Sequence, residues 1–145
     1  MFEHLLVPVD GSELSERAMS ASIELARKLG ARITGFIVEP PADPPPGVGM
    51  AYPQVVEQHD AQAAAHADKV LKGFQSRCAD AGVPFARHTA QAQRIDDAIL
   101  AAAQDSGCDM IVMVTHGRGA LGELMWGSHA KTLMSRSKLP LLVLH

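Results

Sequence analysis

Apolar and polar positions along this chain follow two periods that take turns, a strand-like run and then a helical stripe. Leu5–Val9 is a short unbroken apolar run, the pattern of a strand buried on both faces. Asp10-Gly11-Ser12 predicts a turn, with Ser12 placed to cap a helix whose first turn carries Glu13 and Glu16. Leu14, Ala18, Ala21, Leu25 and Leu29 form that helix's apolar stripe, and Gly30 ends it. A second strand follows over Arg32–Glu39. Pro40–Pro53 holds six prolines and two glycines, which excludes regular structure and predicts a flexible loop. Val55–Ala81 reads as a long helix stopped by Gly82, and Phe85–Ala90 as a half-polar strand suited to a sheet edge. Ile95, Ala98, Ile99, Ala102 and Ala103 mark a third helix ending at Gly107. Met110–Thr115 is the next buried strand. A Gly-rich turn leads into a helix that starts at Leu121 or Gly127 and runs to Arg136, and Leu139–Leu144 is the last strand.

Strands alternating with helices imply right-handed crossovers. The expected fold is a single α/β domain over residues 1–145: an open, five-stranded, mostly parallel sheet with helices on both faces. In such sheets ligands bind beyond the carboxyl ends of the strands, where the strand order reverses. The turns of interest are therefore those after Val9, Glu39, Ala90 and Thr115.

Composition narrows the partners. A chain of 145 residues, 47% apolar and 20% charged, is long enough for one well-formed core. A formal charge of −3 with scattered Lys and Arg gives no footprint for nucleic acid. No apolar run approaches the roughly 18–20 residues that span a bilayer, and the first residues lack the features of a signal peptide. A cytoplasmic protein is expected, with Cys78 and Cys108 reduced and acting as small core residues.

The chemistry concentrates in Thr115-His-Gly-Arg-Gly-Ala-Leu-Gly-Glu-Leu-Met-Trp-Gly-Ser128. Glycines let a phosphate approach the backbone, successive N–H groups make an anion nest, and a helix start adds donors. Arg118 and the Ser128 hydroxyl are further phosphate donors. Gly117-x-Gly119-x-x-Gly122 matches the dinucleotide fingerprint, but that motif opens the first βαβ unit and needs an acidic residue about 20 positions on. Position 142 is Leu. A P-loop would need Gly-Lys-Ser/Thr, whereas Gly122 is followed by Glu123-Leu124. The remaining reading is a mononucleotide site built on Gly117 and Gly127-Ser128.

On these residues the chain resembles the ATP-binding branch of the universal stress protein family. The resemblance spans Leu-Leu-Val-Pro-Val-Asp-Gly-Ser at the start, Phe-Ile-Val-Glu-Pro, Met-Ile-Val-Met-Val-Thr-His-Gly-Arg-Gly, and the closing Gly-Ser…Leu-Pro-Leu-Leu-Val-Leu. The family's nucleotide motif is Gly-x2-Gly-x9-Gly-Ser/Thr, and its last two parts fall on Gly117 and Gly127-Ser128. Its first glycine falls on Val114, whose side chain either crowds the ligand or points into the core. The resemblance implies a Rossmann-like, adenine nucleotide alpha hydrolase-like fold and ATP as ligand, with Mg2+ carried by the phosphates. It places Asp10 near the ribose or that metal, Ile37 with its backbone at the adenine edge, and Pro8 and Val9 lining the base pocket. Asp10 has an alternative as a turn former with Gly11. His116, Arg118 and Gly119 fall in the phosphate turn, His116 either donating to the ligand or fixing the turn. The resemblance also implies a homodimer formed through Leu141–His145; a binding module of this kind is further expected to dock an unknown protein partner when loaded.

Other residues read more plainly. His59 and His66 lie about 10 Å apart along one helix, too far to share a zinc ion. His129, Lys131 and Lys138 are expected in solvent, and Trp126 is expected to pack. No nucleophile elbow or Cys–His pair is visible, and Asp10 is the sole evident general base. The expected output is therefore ligation state, with the proline loop as a ligand-dependent cover. The alternatives are a slow ATPase, or a structural partner that Val114 has made unable to bind nucleotide.

Overall fold

The computed structural model describes residues 1–42, 53–114 and 124–145, with the backbone alone for helical residues 124–128. The body of the proline loop, residues 43–52, lies outside the described residues, as do Thr115, His116, Gly117, Arg118, Gly119 and Gly122. The elements run β1 (His4–Pro8), α1 (Glu13–Leu29), β2 (Arg32–Glu39), α2 (Pro53–Asp80), β3 (Phe85–Gln91), α3 (Ile95–Asp105), β4 (Met110–Val114), α4 (Leu124–Arg136) and β5 (Leu141–Leu144). They form one sheet in the order β3-β2-β1-β4-β5, with every pairing parallel.

Local sequence explains most boundaries. Ser12 caps α1, its side chain accepting from the Ser15 amide, and Gly30 closes the helix in the left-handed conformation. Pro53, which the sequence assigns to the loop, is the first residue of α2. Its fixed φ suits a first helical turn, where an amide would lack a partner anyway. β5 starts at Leu141 rather than Leu139. The Ser137 hydroxyl donates to the Leu139 carbonyl at 2.9 Å and accepts from its amide at 3.0 Å, holding Leu139 in a local turn ahead of Pro140. α4 starts at Leu124, between the two expected starts, so Gly127 and Ser128 are its fourth and fifth residues.

Two cores sandwich the sheet. On one face Leu5, Val7 and Val112 pack with α1 and α2 through Leu14, Ala18, Leu71, Phe74 and Cys78. On the other, Leu6, Phe36, Ile111 and Met113 meet Ile99 and Ala102 of α3 and Leu133 of α4. β1 and β4, central in the sheet, are buried at every position, as their unbroken apolar runs require. β3 at one edge mixes half-buried and exposed positions and buries none fully. Gly35 makes room for the aromatic pair that joins α2 to β3: a Cβ there would lie 2.6 Å from Phe85 and 2.9 Å from Phe74. The expected behaviour of the cysteines holds, since both are free and buried, and burial pushes both thiols up to about 11. Among the described residues no helix is long and apolar enough to cross a membrane.

The amino end of the sheet carries a buried polar contact. His4 Nε2 and Thr34 Oγ1 lie 2.7 Å apart inside the core. Burial, with the nearby Arg32 charge, lowers the His4 pKa from its ordinary 6.5. A lowered folded-state value means the unfolded chain takes the proton first. The neutral histidine's contribution is therefore complete above pH 6.5 and is lost as pH falls below it. Urea unfolding of wild type and His4→Gln from neutral to mildly acidic pH tests this. Wild type should lose stability more steeply below that value, and parallel curves would assign the acid limb to other groups.

Candidate functional site

The strand order reverses at β1. The chain leaves β1 for β2 on one side and returns later to β4 on the other, so the carboxyl ends of β1 and β4 are the reversal point, where sheets of this kind open a crevice. Backbone bonding shows why it opens where it does. Glu3 C=O accepts from Arg32 N–H and Val9 N–H donates to Phe36 C=O, whereas His4 C=O accepts from Asp109 N–H. Odd-numbered residues of β1 thus turn their backbone groups to β2 and even-numbered ones to β4. Pro8 falls on the β4 side and has no N–H to give. Pairing with β4 covers Leu5↔Met110 and Leu6↔Ile111, while pairing with β2 continues to Pro8↔Phe36.

The turn after β1 is held by Ser15, which is buried under it. Its hydroxyl accepts from the amides of Asp10 at 2.7 Å and Gly11 at 3.2 Å, and donates to Asp10 Oδ1 at 2.7 Å. Asp10 Oδ1 also accepts from the Ser12 amide at 2.9 Å. The turn-forming role open to Asp10 from its sequence is thus realised, and its carboxylate stands exposed at the crevice rim. Val9 is buried beside it.

Val114, the departure from the glycine motif, is 6% exposed and packs in the core with α1. Pro8, Met113 and Val114 of the strands and Leu14, Ser15 and Ala18 of α1 line a small open hollow of about 10 Å3, no larger than a water needs. The valine therefore fills space beneath the carboxyl ends of β1 and β4.

Ile37 is buried in the same core, and its backbone groups pair with β3. Ile33 N–H donates to Pro84 C=O, and Glu39 C=O accepts from Ala92 N–H. Odd-numbered residues of β2, Ile37 among them, are thus committed to β3, in register with Thr89. Val38 turns its N–H and C=O to the β1 side, beyond the last β1–β2 rung. A single-residue shift in strand parity, invisible in the apolar run, separates the two.

Gly127 and Ser128 lie in the opening turns of α4, and their side-chain surroundings are outside the described residues. Lys131 and Lys138 are exposed as expected, but His129 is not the solvated residue its sequence suggests. Its side chain is 19% exposed and its Nδ1 pairs with Asp96 Oδ1 in the first turn of α3. Arg136 adds a second tie from α4 to Asp97 at 2.6 Å. The residues legible only in three dimensions are Ser15, the Asp96–His129 pair and a Glu39–His66 pair. A Ser12-x-x-Ser15 spacing after Asp10 was the one signal for the first, while the pairs join residues 33 and 27 positions apart with no local trace.

A parallel α/β domain with a crevice at its reversal point is a ligand-binding architecture. The chain belongs to the universal stress protein family, whose model matches residues 1–145. It is 30% identical over 143 residues to the universal stress protein in the QAH/OAS sulfhydrylase 3'region of Thermus aquaticus, covering 99% of this chain and 98% of that protein. It is 26% identical over 147 residues to universal stress protein YxiE of Bacillus subtilis, covering 99% of both. A crystal structure of a family member from Burkholderia pseudomallei is similar with a TM-score of 0.76 and 26% identity, over 99% of this chain and 96% of that one. More distant structures share the fold. One is a universal stress protein in complex with cAMP (TM-score 0.70, 20% identity, 99% and 97% covered). Another, from Archaeoglobus fulgidus, is in complex with dAMP (0.65, 20%, 100% of both). A third, from Arabidopsis thaliana, has AMP bound (0.67, 16%, 97% and 90%).

Ser15→Ala removes the hydroxyl around which the β1–α1 turn is bonded. Chemical denaturation should show a loss of about 1–3 kcal/mol. A variant as stable as wild type would mean the turn is held by other contacts.

Proposed function

We propose that the crevice binds an adenine nucleotide, ATP by preference with Mg2+ carried on its phosphates, and that the protein works as a cytoplasmic, ligand-gated homodimeric module in the stress response. The observation that carries this reading is the switch-point crevice that Pro8 opens at the carboxyl end of β1, in a family whose members include proteins solved with cAMP, dAMP and AMP. Pro8 and Val9 line the base side. The adenine edge meets backbone groups at the end of β2, where parity favours Val38 over Ile37. Asp10 stands at the ribose or the metal, and Gly117, Arg118, Gly119, His116 and Gly127-Ser128 take the phosphates. Val114, packed in the core with α1, is read as part of the floor of the site. A binding module is favoured over an ATPase because Asp10, the one general base evident in the sequence, has its Oδ1 engaged within its own turn by the Ser12 amide and the Ser15 hydroxyl. Calorimetry with ATP, ADP and AMP should show saturable binding, tightest for ATP and weakened by Gly117→Val. Absence of heat with all three at millimolar concentration would overturn the reading.

The dimer reading rests on β5. Pro140 C=O accepts from Ile111 N–H, so Leu142 and Leu144 face β4 while Leu141 and Val143 turn their N–H and C=O outward. Four half-buried apolar residues on an edge strand invite a second copy to pair there. Val143→Pro deletes one outward donor and leaves the β4 ladder intact. Native mass should fall from dimer to monomer, and a dimer unaffected by the change would place the interface elsewhere.

A further inference from the structure

His66 was set aside above as a metal ligand, and the fold gives it another place. α2 carries it across the β1–α1 turn. A Cβ added at Gly11 would lie 2.8 Å from His66 Nε2 and 3.0 Å from Val70, and Gly11 also has a φ of +84. Glycine at position 11 is thus required both by the backbone and by the imidazole resting on it. The other ring nitrogen is held: His66 Nδ1 and Glu39 Oε1 are 2.8 Å apart, with Glu39 the last residue of β2. The ring therefore stands between Gly11, after β1, and the last residue of β2, with a side chain still 48% exposed.

The Glu39 contact sets what the ring can recognise. A carboxylate accepts only, so Nδ1 carries the proton of the neutral ring and Nε2 presents a lone pair. That nitrogen suits a donor on a ligand. Phosphate oxygens offer none, and the Glu39 carboxylate held against the ring repels them. With the base at the end of β2 and the phosphates at α4, the group left beside Gly11 is the sugar. Resting on the nucleotide reading, we propose that His66 accepts a hydrogen bond from the ribose 2′-hydroxyl and selects ribonucleotides, with Glu39 as its positioning residue.

Calorimetric titration of wild type, His66→Ala and Glu39→Ala with AMP, 2′-deoxyAMP and inosine monophosphate tests this. Wild type should prefer AMP to 2′-deoxyAMP by about three- to tenfold, the effect of one hydrogen bond. The preference should vanish in His66→Ala and shrink in Glu39→Ala, with the AMP-over-inosine ratio unchanged and thermal melts showing both variants folded. Equal binding of AMP and 2′-deoxyAMP by wild type, or a preference kept in His66→Ala, overturns the sugar contact while leaving nucleotide binding intact. Loss of discrimination against inosine monophosphate moves His66 to the base and overturns it too. A wild type that binds none of the three overturns the nucleotide reading itself.

Discussion

Pro8 has no amide hydrogen, and it stands on the side of β1 that faces β4. At that point the ladder would need a donor, and pairing between the two central strands ends two residues before it. On the opposite side of the same strand the odd-numbered residues keep bonding to β2 as far as Val9. One missing donor thus frees one flank of β1 and leaves the other fixed. The sheet reverses its order across this strand, so the freed flank lies at the reversal point. Everything assigned to the ligand crevice depends on that coincidence of chemistry and topology.

Around this opening the structure is stiff below and polar above. Val114, Met113, Leu14 and Ala18 fill the space under the strand ends and leave room for about one water. Above them Ser15 ties three backbone and side-chain groups of the β1–α1 turn, which fixes Asp10 at the rim. Side-chain contacts tie α3 to α4, with Asp96 on His129 and Asp97 on Arg136. The glycine motif's missing first residue fits this arrangement: a valine pointing into the core strengthens the floor.

The order of elements was legible because periodicity, caps and breakers agree with one another. β1 and β4 announce burial on both faces, α1 is bounded by Ser12 and Gly30, and β3 shows an edge strand's half-polar pattern. What sequence could not supply was parity and distance. Ile37 and Val38 are equally apolar, and only the ladder tells which backbone turns toward β1 and which toward β3. His129 looks like a surface helix residue until α3 brings Asp96 against it, and His66 gains meaning only from Gly11 and Glu39. Pro53 misled because proline breaks a helix interior yet starts one well.

The central claim is that the crevice at the carboxyl ends of β1, β2 and β4 is the nucleotide site. Titrating isotopically labelled protein with ATP and following backbone amide resonances tests it most directly. Shifts concentrated at Val9, Asp10, Gly11, Val38 and the opening turns of α4, with His4, Gly107 and Asp109 at the opposite end unmoved, are the predicted result. Shifts centred on that opposite end, with the crevice amides unchanged, would contradict the account.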